Sequence, residues 1–356
     1  MLEVYGHLFK RITKEGNMSE LHEKSGSAFK LSRREFCTAF LASCVTTVMP
    51  SVVDAKPRYP TQAKPFVKWA GGKGQLLEEL NLLLPNDFAT SNDLTYVEPF
   101  VGGGAMLFFI LSTYPNIKKA IINDLNADLI VTYRVIKSKV ADLIEKLRAM
   151  QDAYYALESE QEKKEYYLAQ RAKYNTKSND DVEIAALFIF LNRTGFNGLY
   201  RVNSKGQYNV PFGKANRPKI CDEETLIADH ALLQKVEILN GDFADVLGYV
   251  EGKAFFYFDP PYRPLPKTAS FTAYSKDGFG DDQQRRLAEM CRQIDAAGNK
   301  WLQSNSDPHN TDPEDMFFEE LYEGFDINRV TATRMINSKA DGRGRITELT
   351  IRNYNE

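Results

Sequence analysis

Cysteine is scarce in this chain and unpatterned. Cys37, Cys44, Cys221 and Cys291 form neither a Cys-x-x-Cys pair nor a Cys/His ligand spacing. Neither a disulfide framework nor a metal site is indicated, and thiols in a reducing compartment are the simpler reading. Surplus positive charge is missing too. The formal net charge is −3, so any surface for a polyanion has to be local. The body of the chain holds no apolar run of transmembrane length, which argues for the cytoplasm and against a membrane partner. There are no internal repeats and no low-complexity tracts.

What is present is enough apolar residue for a full core. At 356 residues and 43% hydrophobic, the chain suits one main domain with a smaller one inserted. Its centre is Ala254-Phe255-Phe256-Tyr257-Phe258-Asp259-Pro260-Pro261-Tyr262. The unbroken apolar run predicts a buried central strand, and the double proline stops it abruptly. A carboxylate and an aromatic ring are then held at the carboxyl end of a strand, where open α/β sheets place their ligands. Asp259-Pro260-Pro261-Tyr262 resembles the signature of methyltransferases acting on an exocyclic amino group of a base. Such an amine shares its lone pair with the ring and is a poor nucleophile. The Asp259 carboxylate and the Pro260 carbonyl can accept its two N–H bonds and push the nitrogen towards tetrahedral geometry. Proline fixes φ and so aims that carbonyl; Tyr262 can stack on the base.

Upstream, Pro65–Lys73 ends in a Gly-Gly-Lys turn before a helix over Gly74–Leu84 stopped by Pro85. Lys73 could meet a carboxylate there. Thr95–Ala105 then reads as strand, glycine loop (Gly102, Gly103, Gly104) and the start of helix Met106–Ser112. A second strand, Lys118–Ile122, follows, with Asp124 at its end, twenty residues after Gly104. Glycines for close approach and then an acid for ribose hydroxyls is the general Rossmann arrangement. It is not a dinucleotide fingerprint, because Leu107 stands at the third glycine, and no Walker lysine follows. Glu98-Pro99 before the loop suits adenosylmethionine better than a pyrophosphate. Asp124 could equally be the N-cap of the next helix, and Asp242 could reach an adenine or cap a helix.

Helices are expected over 126–137, 140–150, 160–174 and 182–191, with leucine and alanine faces. After them comes Asn192–Gly213, whose alternation from Leu199 through Ser204-Lys205-Gly206 to Val210 predicts a β-hairpin. From Asn192 to Ile220 there are six basic residues (Arg193, Arg201, Lys205, Lys214, Arg217, Lys219) and no acid. In an overall acidic chain that is a local footprint for phosphates, with Asn and Arg side chains able to pair with base edges. Helix 223–234, strand 236–239, helix 282–297, strand 300–304, helix 313–323 and strands 325–330 and 347–353 complete an alternating α/β pattern. Arg263–Phe279 is long enough for a substrate lid, and Thr333–Arg345 is a basic loop that could face phosphates.

The first sixty residues stand apart. Ser32-Arg33-Arg34-Glu35-Phe36, a mildly apolar stretch and Val53-Asp54-Ala55 resemble a twin-arginine export signal. We read residues 1–60 as an atypical extension, disordered or not native to the enzyme, since everything after Lys64 argues against export.

From about Pro65 to its end the chain resembles the Dam family of DNA adenine methyltransferases. The likeness runs through Phe66–Lys73, Val97–Gly104, Asn123–Asp128, Phe196–Gly213, Asp259–Tyr262 and Phe271-Thr272-Ala273-Tyr274. The Phe196–Gly213 run looks especially like members that modify GATC. The resemblance implies a doubly wound, Rossmann-like α/β methyltransferase sheet, mostly parallel with one reversed strand. It implies a catalytic domain of residues 61–135 and 236–356, and an inserted, mainly helical DNA-recognition domain, 136–235, bearing the hairpin. It implies S-adenosyl-L-methionine as cofactor, touched by Trp69, Lys73, Gly102, Gly104, Asp124 and Asp259, with no metal. Asp259, Pro260 and Tyr262 would carry the chemistry, and Lys68, Phe196, Asn197, Leu199, Arg201 and Asn203 would contact duplex DNA. The expected activity is adenine methylation at the amino group of a flipped base. A cognate restriction endonuclease acting separately is a compatible partner. Methylation of cytosine's amino group and a non-catalytic DNA-binding module are the alternatives. Family members usually start near Phe66, so the extension is the one departure.

Overall fold

Alternate side chains of the strand Ala254–Phe258 enter two different apolar cores, one on each face of a central sheet. Phe255 and Tyr257 belong to one core, Phe256 and Phe258 to the other, and all five residues are buried. That is the pattern of a strand covered by helices on both faces, and it explains why the stretch is apolar throughout rather than alternating. The computed structural model describes residues 62–177, 180–263, 279–333 and 345–355. The 1–60 extension, the Phe271–Tyr274 stretch, nearly all of the loop expected over Arg263–Phe279 and the basic loop with Arg334, Lys339 and Arg343 lie outside the described residues.

The sheet has seven strands: β1 (Thr95–Glu98), β2 (Lys119–Asp124), β3 (Val236–Asn240), β4 (Ala254–Phe258), β5 (Lys300–Ser306), β6 (Asp326–Thr333) and β7 (Arg345–Arg352). Their order is β3-β2-β1-β4-β5-β7-β6. β3, β2, β1, β4 and β5 run parallel, while β7 is antiparallel to both β5 and β6. The mostly parallel sheet with one reversed strand is therefore as expected. β1 and β4 are neighbours in space but not in sequence, with Val97 opposite Phe256. The strand order reverses at that pair, which is where open sheets leave a crevice at the carboxyl edge.

Helices α1 (Leu77–Leu82), α2 (Ala105–Thr113) and α3 (Ala127–Ser138) lie on the larger core, as do α4 (Val140–Tyr155), α5 (Glu160–Asn175), α6 (Asp181–Thr194) and α7 (Glu223–Leu233). α8 (Asp281–Ala296) and α9 (Phe317–Leu321) cover the opposite face, where Leu287, Cys291, Ile294, Phe318 and Trp301 are buried. Local chemistry fixes several ends. Ser159 and Glu162 form a capping box at the start of α5, and Asp180 caps α6 through the Val182 amide.

Three expectations need correction. The helix expected over 313–323 is only α9, because the Asp315 carboxylate accepts the Phe317 amide at 3.1 Å and delays its start. The helix expected over 74–84 begins at Leu77, after a run of turns. The hairpin forms but is short and irregular: Val202 bridges Tyr208, the Asn203 amide donates to the Gln207 carbonyl at 2.9 Å and the Asn209 amide to the Arg201 carbonyl at 3.0 Å, and a second bridge, Gly195 with Phe212, lies at its base. Asn203 explains the irregularity: its Oδ1 accepts the amides of Lys205 at 2.9 Å and Gln207 at 3.0 Å, so a side chain takes one donor that a regular ladder would pair with its backbone carbonyl.

Candidate active site

Three parallel strands end on carboxylates at the same edge of the sheet: Glu98 on β1, Asp124 on β2 and Asp259 immediately after β4. Glu98 is 2% exposed and accepts the Tyr96 hydroxyl at 2.8 Å. Burial pushes its carboxyl well above the usual carboxylate range, the Tyr96 hydroxyl opposing this and the charges of Asp259 and Asp124 adding to it. Burial also raises Asp124, against the amides of Asn126, Gly102 and Leu125.

Asp124 ties the glycine loop to β2. Its Oδ2 accepts the Gly102 amide at 3.0 Å and its Oδ1 the Asn126 amide at 2.8 Å. The N-cap of α3 is Asn126, through the Leu129 amide at 3.0 Å, so the capping alternative for Asp124 is excluded. Asp242 is itself a cap, in a box with Asp245, and pairs with Arg286. At Gly102 (φ +47) a Cβ would stand 2.7 Å from the Trp69 ring, and at Gly104 (φ +76) it would strike the Tyr133 hydroxyl. Only glycine lets these two rings close over the loop. Tyr133 further donates to the Gly102 carbonyl at 3.0 Å. Asn123, one residue before Asp124, spends its amide on the Pro99 and Gly241 carbonyls, and its buried Oδ1 has no partner among the described residues.

Asp259 is more open than Glu98, its side chain 21% exposed, with Oδ1 2.7 Å from the Lys73 ammonium. Burial raises its carboxyl above the usual range while Lys73 pulls it back down. Lys73, only 4% exposed, also donates to the Gly71 carbonyl at 3.1 Å and sits 4.6 Å above the Tyr262 ring. The carboxylates Lys73 meets among the described residues are Asp259 and, at 3.9 Å, Glu348. The Tyr262 hydroxyl donates to Glu348 on β7 at 2.6 Å. Behind Asp259, the Ser304 hydroxyl bonds Tyr257 at 2.8 Å and also serves the Asp259 carboxylate. The backbone that follows is pinned as well. The buried amide of Gln284 reaches the Pro261 carbonyl at 3.3 Å, and Arg263 grips Asp281 at 2.8 Å and Asp315 at 2.6 Å. A half-buried carboxylate and an aimed carbonyl, both on fixed backbone, can accept two hydrogen bonds from one nitrogen.

The residues expected to meet nucleic acid are Lys68, next to Trp69, and the turn on either side of Tyr200. Trp69 stacks on Tyr200, with ring centroids 5.7 Å apart. Lys68 lays its aliphatic stem on Gly198, where a Cβ would stand 2.6 Å from its Cδ. Phe196 is 49% exposed, and Asn197 holds a left-handed backbone with φ +55. Leu199 is partly buried against the larger core. Arg201 folds back on Asn209, Nε to Oδ1 at 2.7 Å, and Asn203 shapes its own turn. Asn192 was not singled out in the sequence, yet it bonds the Lys68 amide, the Lys68 carbonyl and the Gly198 carbonyl at 2.8, 2.8 and 2.7 Å. Its signal was a lone amide closing the apolar run of α6. Glu348, Tyr133 and Ser304 were likewise missed.

Comparison with known proteins converges on one family. The family model described as D12 class N6 adenine-specific DNA methyltransferase matches residues 69–336. The chain is 49% identical over 296 residues to the Type II methyltransferase M.MjaIII of Methanocaldococcus jannaschii, covering 82% of this chain and 100% of that one. It is 40% identical to the Type II methyltransferase M1.LlaDCHI of Lactococcus lactis, covering 82% and 95%. With the DNA adenine methylase of Escherichia coli K12 it shares 34% identity over 285 residues, covering 80% and 93%.

Proposed function

The chain belongs to the D12 class N6 adenine-specific DNA methyltransferase family, and from that membership we propose that it methylates the amino group of an adenine flipped out of duplex DNA, within GATC, using S-adenosyl-L-methionine. The cytosine and the non-catalytic alternatives both give way to that family membership. The observation that carries the reading is the Asp259 carboxylate, fixed next to the Pro260 carbonyl at the point where the strand order reverses.

The site's donor set fits the cofactor. A glycine turn at Gly102 and Gly104, a ring at Trp69, a carboxylate at Asp124 and an ammonium at Lys73 suit a nucleoside bearing an amino-acid tail. When bound, S-adenosylmethionine supplies a methyl group on a sulfonium, electrophilic enough to need no metal. The chain's own residues supply the rest. Asp259 and the Pro260 carbonyl accept hydrogen bonds from the two amine N–H groups, which localises the nitrogen lone pair and orients it; the one proton the methylated nitrogen must lose can leave by way of the Asp259 carboxylate to solvent. Tyr262 stacks on the extruded base. No enzyme nucleophile is required; catalysis comes from positioning and from acceptors built in advance.

Lys68, Phe196, Asn197, Leu199, Arg201 and Asn203 form the surface assigned to DNA. The GATC assignment rests on the likeness of the Phe196–Gly213 run to members that modify GATC; relatives named DNA adenine methylases support adenine as the base. Among the described residues no helix is long and apolar enough to cross a membrane, and a substrate of chromosomal or phage DNA suits the cytoplasm. Relatives named Type II methyltransferases favour a separate endonuclease as companion.

The test is transfer of labelled methyl from S-adenosylmethionine to three duplexes: GATC, the same bases scrambled, and GATC already methylated on both strands. Methyladenine formed only in the unmodified GATC duplex is the expected result. Equal incorporation into the scrambled duplex would remove the GATC assignment and keep the enzyme.

A further inference from the structure

Lys73 stands between two carboxylates, although one would neutralise it. Its ammonium touches Asp259 at 2.7 Å and lies 3.9 Å from Glu348, whose oxygen also accepts the Tyr262 hydroxyl at 2.6 Å. Glu348 is 15% exposed and comes from the reversed strand β7, where it pairs with Ser306 at the carboxyl end of β5. Placing a second acid in a crevice that already penalises charge is unfavourable unless that acid has work to do.

We propose that Glu348 is a positioning residue for the transfer, a second anchor to which Lys73 moves so that Asp259 is released to accept the incoming amine. The inference rests on the reading of Asp259 given above. An oxygen already holding an ammonium is a weak acceptor for an aryl amine, whose N–H bonds are only modestly acidic. In the arrangement described, Oδ1 of Asp259 is occupied by Lys73 and the carboxylate is also served by Ser304. With the lysine drawn away, that oxygen can accept the amine at full strength. A shift of about 1 Å brings Nζ from 3.9 Å to ordinary contact with Glu348. The path is prepared at both ends. The Gly71 carbonyl, 3.1 Å from Nζ, stays within reach, and the Tyr262 ring lies 4.6 Å beneath the ammonium as a cation–π surface. Glu348 holds that ring by its hydroxyl, so the lysine's destination and the base-stacking ring are set by one side chain.

The decisive comparison is between Glu348→Gln and Glu348→Asp. Glutamine keeps an acceptor for Tyr262 and removes the charge; aspartate keeps the charge on a shorter arm. Single-turnover methyl transfer from S-adenosylmethionine to the GATC duplex, with equilibrium binding of each, separates charge from packing. In Glu348→Gln we expect the transfer rate to fall at least about tenfold, with both dissociation constants within about threefold of wild type. Glu348→Asp should recover most of the loss. A wild-type rate in Glu348→Gln overturns the proposal, as does an equal loss in both variants accompanied by weaker DNA binding. A crystal structure of the wild-type enzyme with the duplex and sinefungin, an unreactive cofactor analogue, gives a readout without turnover. Lys73 nearer Glu348 than Asp259 supports the exchange; Lys73 still on Asp259 with the target amine in place removes it. Wild-type turnover keeps the two readings apart. A wild-type chain that methylates no duplex fails the reading of Asp259, whereas an active wild type with an unaffected Glu348→Gln fails only this one.

Discussion

The side-chain amide of Asn192, near the end of α6, closes on both backbone polar groups of Lys68, 124 positions earlier, with each bond 2.8 Å long. A third bond reaches the Gly198 carbonyl at 2.7 Å, so one buried side chain joins the segment leading to Trp69 and Lys73 to the turn around Asn197. The side of the crevice proposed for the cofactor and the side proposed for DNA are therefore tied together by a single amide.

Replacing Asn192 with alanine leaves three backbone groups without their partner. We expect a loss of about 1–3 kcal/mol in stability and a larger rise in KM for the duplex than fall in kcat, since Lys68 and Asn197 lose their relative position. Asn192→Asp should do no better than alanine, because its second oxygen would face two carbonyls. Denaturant titration and steady-state kinetics on the GATC duplex check this. A KM unchanged in both variants would show that the clasp serves only the fold.

A pH profile tests the Lys73–Asp259 pair. Burial raises the Asp259 carboxyl, and Lys73 is the largest influence lowering it. Removing the ammonium must raise the carboxyl further. On the reading of Asp259 proposed above, transfer needs the ionised carboxylate, so the rate falls as pH drops through its pKa. In Lys73→Met that acid-side fall should move to higher pH, measured by single-turnover rates at saturating cofactor. A lower rate with an unmoved acid limb would mean that Lys73 acts elsewhere.

Much of this site was legible because its carriers are local. Asp259-Pro260-Pro261-Tyr262 and the Gly102–Gly104 loop announce themselves through residue types that only strand ends and close approaches require, and the apolar run of β4 marked a strand buried on both faces. Glu348 was illegible for a physical reason. It lies 86 residues from Tyr262 in sequence, and it enters the crevice only because β7 runs backwards beside β5 in a register with Ser306 opposite it. Alternation in Thr347–Arg352 reveals a strand but not its neighbour. Tyr133 and Asn192 were hidden differently, as polar tips on side chains that otherwise read as helix packing. The hairpin is there but shorter than its alternation suggests, since the pattern cannot show that the Asn203 side chain takes the Gln207 amide from the ladder.

Gly104 and Tyr133 should couple. At Gly104 the backbone is left-handed, φ +76, and an added methyl would collide with the Tyr133 hydroxyl and come within 3.1 Å of the Phe108 ring. The conformation alone makes Gly104→Ala unfavourable by about 1–3 kcal/mol, and the collision adds to that. Tyr133→Phe removes the obstructing oxygen, at the loss of its bond to the Gly102 carbonyl. The double variant should therefore be less unstable than the two single losses added together, by denaturant unfolding in a double-mutant cycle. Strict additivity would mean that the loop relaxes away from the ring.

Asp229, on α7, is fully buried, accepts the Lys64 amide at 3.1 Å, and has no partner for Oδ2 among the described residues. Burial pushes its carboxyl from 3.8 up to about 8. The unfolded chain releases this proton near pH 4, whereas the folded chain keeps it until about pH 8. Between those values the folded state binds more protons than the unfolded one, so stability falls as pH rises and stays reduced above the window. A shift of this size corresponds to several kcal/mol across the window. An asparagine at this position would not titrate, and its carbonyl oxygen can still accept the Lys64 amide. Asp229→Asn should accordingly be close to wild type in stability near about pH 4, and clearly more stable near about pH 8.5. Urea unfolding at the two pH values measures the difference directly. A gain of equal size at both would mean that the carboxyl ionises no later in the folded chain than in the unfolded one, and that its burial is relieved by water.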